Sequence, residues 1–161
     1  PGGETGQDSI FNGLSATKEC YGEDCNVLIH DGVRPLITEQ TITDCINTTN
    51  EKGNCITCVP ATETFVVTQE DGSLEIPTRA NSLIARAPQC FHLKDILDAH
   101  HKAQQSGRHD FIDSCTMMSH YGHHMNTIIG PMENIKITTP TDFFIFRAMV
   151  EVHENQQIFG F

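Results

Sequence analysis

The run Val27-Leu28-Ile29 is apolar at three consecutive positions and stops abruptly at His30-Asp31-Gly32-Val33-Arg34-Pro35. A strand exposed on one side alternates apolar with polar residues. An unbroken apolar run marks a strand covered on both faces, which requires helices packed above and below a sheet. The rest of the chain supplies them. Ile10, Phe11, Leu14 and Ala16 suit one helical face between Gln7 and Glu19, with Asp8 or Ser9 placed to cap its start, and a second helix is expected over Glu39 to Asn50, ending at the Lys52-Gly53 turn. Asn54 to Pro60 reads as a strand, Thr64 to Thr68 and Leu74 to Pro77 as a hairpin about Asp71-Gly72, and His92 to Gln105 as a helix with Gly107 past its end. Asp113 to His120 is expected to be helical, Asn126 to Ile129 and Ile135 to Thr138 to be short strands, and Pro140 to open a final helix through Val152. Strands alternating with helices in this order predict an α/β fold with a mostly parallel sheet, interrupted by one hairpin arm at about 60–80. At 161 residues, with no repeat or linker, a single domain is expected over 1–161.

The charge balance narrows the partners. Ten Lys and Arg stand against 21 Asp and Glu, a formal net charge of −11 with no basic run, which argues against binding to a nucleic-acid backbone. No apolar stretch approaches the ~20 residues that span a bilayer, so no membrane contact is expected and a cytoplasmic protein is the default. Seven cysteines, an odd set, favour free thiols. Cys55-Ile56-Thr57-Cys58 has no second pair to complete a zinc site and reads as core strand. His120, His123 and His124 surround a Tyr121-Gly122 break and read as a solvated turn.

Ligands of open α/β sheets collect beyond the carboxyl ends of the strands, which directs attention to polar residues just after apolar runs. Asp31 is one. A carboxylate there can hold Mg2+, which takes oxygen ligands and shares them with substrate phosphates, and Arg34 can clamp a phosphate or fix Asp31 by a paired hydrogen bond. An ordinary surface pair in a turn is the alternative. Lys136 lies inside the otherwise apolar Ile135–Thr138 segment, where an unpaired ammonium is costly, so it meets either a structural partner, Glu133 or Asp142, or an anionic ligand. Gly2-Gly3, before the helix containing Ser9, can present backbone N–H groups to a base or phosphate.

In order and spacing these segments resemble the cytidylyltransferases that make activated sugar alcohols, the 2-C-methyl-D-erythritol 4-phosphate and D-ribitol 5-phosphate enzymes. The resemblance runs through Gly2-Gly3, Asp8-Ser9 and Asn12-Gly13-Leu14, then His30-Asp31-Gly32-Val33-Arg34-Pro35, Val59-Pro60 and Glu63-Thr64. It continues through Arg79, Ala87-Pro88-Gln89-Cys90-Phe91, Asp113 and Asn134-Ile135-Lys136-Ile137-Thr138-Thr139-Pro140-Thr141-Asp142.

The resemblance implies a Rossmann-like nucleotidyltransferase in which an alditol phosphate attacks the α-phosphorus of CTP, giving a CDP-alditol and pyrophosphate. It implies nucleotide contacts from Gly2, Gly3, Ser9, Asp31 and Arg34, catalytic roles for Lys136 and Asp31, Mg2+ on Asp31, and substrate contacts from Thr64, Arg79 and Asp113. It also implies a homodimer through the hairpin arm, so that Thr64 and Arg79 serve a neighbour's site. The first strand of such a fold, and the glycine-rich loop that cradles the triphosphate, have no counterpart here, which implies the C-terminal larger part of the fold. A nucleotide-binding or dimerisation module without activity is therefore the competing expectation. Gly6 stands where an arginine is usual, Ile112 where methylerythritol enzymes commonly carry threonine, and Arg86-Ala87 in place of Gln-Thr. Asp113-Ser114-Cys115 and Ala87-Pro88-Gln89-Cys90 look more like the ribitol phosphate branch, with the methylerythritol enzyme of isoprenoid synthesis as the alternative.

Overall fold

A computed structural model describes residues 1–159, and one four-stranded sheet organises them. The strands are β1 (Asn26–Ile29), β2 (Asn54–Pro60), β5 (Leu83–His92) and β6 (Thr127–Ile129), in the order β1-β5-β2-β6. β2 and β6 pair in parallel, whereas β5 is antiparallel to both β1 and β2. Three of the four strands thus run one way, the mostly parallel sheet expected, with the reversed strand inserted among them.

Helices cover both faces. On one, α2 (Glu39–Lys52) lays Cys45 over Cys55 and Cys90; on the other, α1 (Gly6–Tyr21), α3 (Leu93–Gln105) and α4 (Ser114–His120) close over Ile56, Cys58 and Phe91. Cys55 and Cys58 therefore belong to clusters on opposite faces of β2 and cannot act as a chelating pair. Residues 54–59 are all buried, making β2 the strand covered on both sides. The Val27-Leu28-Ile29 run is only half-buried, because β1 is the sheet edge.

Local chemistry explains the element ends. Thr5, rather than Asp8 or Ser9, caps α1: its hydroxyl accepts from the Asp8 N–H at 3.1 Å while the Asp8 carboxylate accepts from the Thr5 N–H at 3.1 Å, a reciprocal capping box. Asp113 caps α4, accepting from the Thr116 N–H at 2.8 Å. At the end of α2, Gly53 takes φ 90°, a left-handed conformation that suits glycine. The last helix, α5 (Pro140–Phe159), starts at the expected proline and runs beyond Val152.

Two expectations fail. Leu83–His92 was not foreseen as a strand, because Arg86 and Pro88 interrupt its apolar run. A register shift between Ile56 and Cys58 of β2 absorbs them: Gln89 and Ala85 pair across the ladder while Arg86, Ala87 and Pro88 bulge from it. Conversely, Ile135–Thr138 is extended but joins no ladder. It passes the ends of the strands, with the Ile137 N–H bonded to the Val33 carbonyl at 2.8 Å. The hairpin arm, β3 (Val67–Thr68) with β4 (Leu74–Glu75), forms a separate two-stranded sheet.

Candidate active site

A cavity of about 490 Å3 opens where the chain leaves the carboxyl end of β1. Asp31 and Arg34 line it from the loop after β1, Lys136 from the extended segment, Asp113 and Ser114 from the start of α4, and Arg86 from the β5 bulge. Four of the residues expected from sequence, Asp31, Arg34, Lys136 and Asp113, are thus brought together from positions up to 105 residues apart.

Asp31 is the hub. Its Oδ2 accepts from Arg34 Nε at 3.0 Å and its Oδ1 from Lys136 Nζ at 3.2 Å. Burial alone would raise this carboxyl, but the hydrogen bonds from Arg34 and Lys136 outweigh it and hold the group below the ordinary aspartate value. The partner of Lys136 is therefore Asp31. Asp142 instead accepts from the Thr138 and Thr139 N–H groups at 2.9 and 2.7 Å, in the first turn of α5. The loop geometry is held by His30, whose Nε2–H donates to the Arg34 carbonyl at 2.9 Å, leaving a buried Nδ1 without a partner.

Gly2, Gly3 and Ser9 lie beside this cavity rather than on it; Gly6 and Ile10 of the same helix form its wall. The Gly3 N–H donates to Ser9 Oγ at 2.9 Å, and Ser9 Oγ–H to the Thr5 carbonyl at 2.9 Å, so these residues fold the segment ahead of α1 back onto it. A Cβ on Gly3 would sit 2.3 Å from Asp8 Cβ, which no side chain there can tolerate. Thr64 and Arg79 are exposed on the arm, with Arg79 donating only to the Thr62 carbonyl at 3.4 Å, and they line no part of this cavity.

Two contributors escaped the sequence reading as site residues. Asn134 is fully buried: its Nδ2 donates to the Ala87 carbonyl at 2.8 Å, and its own carbonyl accepts from Arg34 Nη1 at 2.9 Å and Arg86 Nη1 at 3.1 Å. Arg86 carried a signal, since it is a lone cation among the apolar residues Leu83-Ile84-Ala85 and Ala87-Pro88, the pattern that singled out Lys136.

Chemically, three cations face two carboxylates here in a chain of net charge −11, and the Asp113 carboxylate is occupied at the start of α4. The cavity suits an anion. No group of three or more His, Cys, Asp and Glu side chains among the described residues is arranged to hold a metal ion. Asp31, whose oxygens accept from Arg34 and Lys136, is then the one cavity carboxylate not spent on a helix start, and a lone carboxylate fits an ion that draws most of its ligands from bound phosphates and water, as Mg2+ does.

The family model for 2-C-methyl-D-erythritol 4-phosphate cytidylyltransferase, IspD, matches residues 1–152. The ribitol-5-phosphate cytidylyltransferases of Vibrio parahaemolyticus and Streptococcus agalactiae are each 48% identical over 99% of this chain, which spans 68% and 67% of their lengths. A 2-C-methyl-D-erythritol 4-phosphate cytidylyltransferase from Clostridium botulinum is 35% identical over 94% of the chain, which spans 65% of that protein. In structure, the 4-diphosphocytidyl-2C-methyl-D-erythritol synthase of Anaerococcus prevotii superposes with a TM-score of 0.83 at 26% identity, covering 93% of this chain and 68% of that one. The match to the family model over nearly the whole chain, the identity to curated relatives and the shared fold agree: the chain belongs to the IspD family of cytidylyltransferases.

Proposed function

We propose that this chain transfers the cytidylyl group of CTP to D-ribitol 5-phosphate, giving CDP-ribitol and pyrophosphate. The observation that carries the substrate is the 48% identity to ribitol-5-phosphate cytidylyltransferases over 99% of the chain, against 35% to a methylerythritol enzyme. In the reaction a phosphate oxygen of the alditol phosphate forms a bond to the α-phosphorus as the bond from that phosphorus to the bridging oxygen breaks, and pyrophosphate leaves with the electron pair. Such transfers depend on positioning and on stabilising charge at the phosphoryl oxygens.

Lys136 and Arg34 supply positive charge at the cavity, and Asp31 keeps both in place when no anion is bound. Asp31 would hold Mg2+ shared with the triphosphate, and that ion would neutralise developing phosphate charge. Gly2, Gly3 and Ser9, folded onto the start of α1, are assigned to the cytidine side. Thr64 and Arg79 are assigned to the alditol phosphate of a partner's site, since the arm holds them away from the cavity of their own chain. A homodimer through the arm is supported by the apolar residues it exposes, Leu74 at 67% and Ile76 at 65% among them. All seven cysteines are free, as suits the reducing cytoplasm, and no helix among the described residues is long and apolar enough to cross a membrane.

The test is CTP-dependent pyrophosphate release with D-ribitol 5-phosphate or 2-C-methyl-D-erythritol 4-phosphate as acceptor, run on this 161-residue chain and on the same chain with whatever its gene encodes ahead of Pro1. Higher kcat/KM with the ribitol compound is expected. A preference for the methylerythritol compound would move the chain to the isoprenoid branch, and release with neither acceptor in either form would leave a binding module.

A further inference from the structure

The segment that carries Lys136 has no strand partner. Between Pro131 and Thr139 its backbone is tied to the rest of the fold by the Ile137 N–H on the Val33 carbonyl, and everything else that holds it comes from side chains. Arg86 is the most connected of these. Its Nη1 faces three carbonyls of one turn, Met132 at 2.8 Å, Asn134 at 3.1 Å and Pro131 at 3.5 Å. The β5 bulge is what aims it there, since Arg86, Ala87 and Pro88 are the residues released from the β2 ladder. Beside it, the Ala87 carbonyl takes the Asn134 side chain at 2.8 Å, so two adjacent bulge residues grip the same turn.

This arrangement has an electrostatic cost. Arg34 and Arg86 converge on the single Asn134 carbonyl, and whereas Arg34 is paired with Asp31, no carboxylate among the described residues pairs with Arg86. Partial burial and the neighbouring Arg34 disfavour its charged form, and Glu133 in the facing turn offsets them only in part. A charge held at such a cost, against backbone rather than a carboxylate, is spent on geometry.

We propose that Arg86 is a positioning residue: its guanidinium clamps the 131–134 turn to the β5 bulge, and so presents Lys136 to the cavity beside Asp31. Lys136 follows the clamped turn by two residues, and its Nζ reaches Asp31 at 3.2 Å although the segment between lacks the ladder that ordinarily fixes a side chain's direction. The catalytic consequence rests on the cytidylyltransferase reading above, whereas the clamp itself does not.

The experiment compares wild type, R86M, K136M and the R86M/K136M pair. Methionine keeps most of the aliphatic stem but has no donor, so it bonds none of the three carbonyls. Hydrogen exchange, read without substrate, should accelerate in the peptide covering residues 131–138 of R86M and stay unchanged in β2. Turnover of R86M should fall on the order of 10²-fold, the scale of an ångström-level misplacement, with KM for CTP little changed. Because Arg86 acts through Lys136, the double variant should turn over like K136M alone. Unchanged exchange at 131–138, or a double variant that loses the full R86M factor again, overturns the proposal. If wild type releases no pyrophosphate, the functional reading fails and the exchange comparison alone decides the clamp. Should R86M not fold, R86K, which keeps the charge but lacks the planar fork, is read by the same comparison.

Discussion

Lys136 and Asp31 hold one another on the open side of the cavity, with side chains 46% and 34% exposed. An ion pair that wet contributes only about 0–1 kcal/mol to folding. Lys136→Met keeps most of the aliphatic stem and deletes the charge, so its melting temperature should stay close to wild type while turnover falls by roughly 10²–10³, the usual loss for one preorganised charge-stabilising group. Thermal melts and pyrophosphate release on the same preparations check both halves. A lower melting temperature with unimpaired turnover would make the lysine structural. A second residue governs acid stability from a distance. His100 on α3 is 1% exposed, packs its ring 5.6 Å from that of Phe11, and has an Nε2 with no partner. Burial lowers its pKa to about 4, with His101 adding to the effect and Asp8 opposing it. The unfolded chain therefore takes up a proton at this side chain near the ordinary 6.5, whereas the folded chain refuses it until about 4. More protons bound by the unfolded state means that stability falls as the pH drops through that window. His100→Met, which cannot titrate, should lose less stability between those two values than wild type in urea titrations at several pH values. Parallel losses would show that other groups set the acid limit.

At the scale of elements, the join between β2 and β6 depends on a missing side chain. A Cβ on Gly130 would lie 2.5 Å from Thr57 Cγ2, and Thr57 cannot turn away because its hydroxyl donates to the Pro88 carbonyl at 2.8 Å and meets Cys45 Sγ at 3.4 Å. Gly130→Ala should therefore destabilise the fold by about 1–3 kcal/mol, the cost of overpacking a tight contact. Thr57→Ser removes the offending methyl and keeps the hydroxyl, so the T57S/G130A pair should regain most of the loss in urea midpoint. A double variant no better than G130A would place the strain elsewhere. The same corner explains what could be foreseen from sequence. β2 was legible to the residue because Gly53 and Pro60 bracket it and its apolar run is interrupted only by Thr57, and α2 and α5 because a glycine or proline marks an end. β5 was not, since a bulge that carries Arg86 and Pro88 out of the ladder looks in one dimension like a broken strand. Ile135–Thr138 erred in the opposite sense: its apolar alternation is real, but the segment spends it crossing the strand ends. In the site, Asp31 and Arg34 were legible as polar residues just past an apolar run and Lys136 as a cation inside one, whereas Asp113 followed only from the family resemblance. Asn134 was not, because its part is played largely by a backbone carbonyl, which every residue has.

At the scale of the whole molecule, the arm poses a problem that the body does not. Its two strands pair over only two registers, and a two-stranded hairpin is marginal in water without something to pack on. Phe65, Val66, Leu74 and Ile76 are all exposed there, and Thr64 and Arg79, matched to substrate contacts, line no part of the cavity in their own chain. A second copy resolves both difficulties at once if its arm lies against this cavity and this arm against its own, a reciprocal contact of the kind a twofold dimer makes. The arrangement predicts complementation. Arg79→Ala removes the arm's guanidinium from whichever site it serves, and Lys136→Met disables the body's site, so each variant alone should be poorly active. In a mixture whose subunits exchange, about half the dimers are mixed, and in each of these one site combines an intact body with an intact arm while the other combines two defects. Activity should therefore recover to about a quarter of the wild-type value, far above either parent. If each arm served its own body, every site in the mixture would carry one defect and no recovery would follow. The assay thus reads arm exchange directly from turnover, and sizing of the same mixture confirms that dimers are present to exchange.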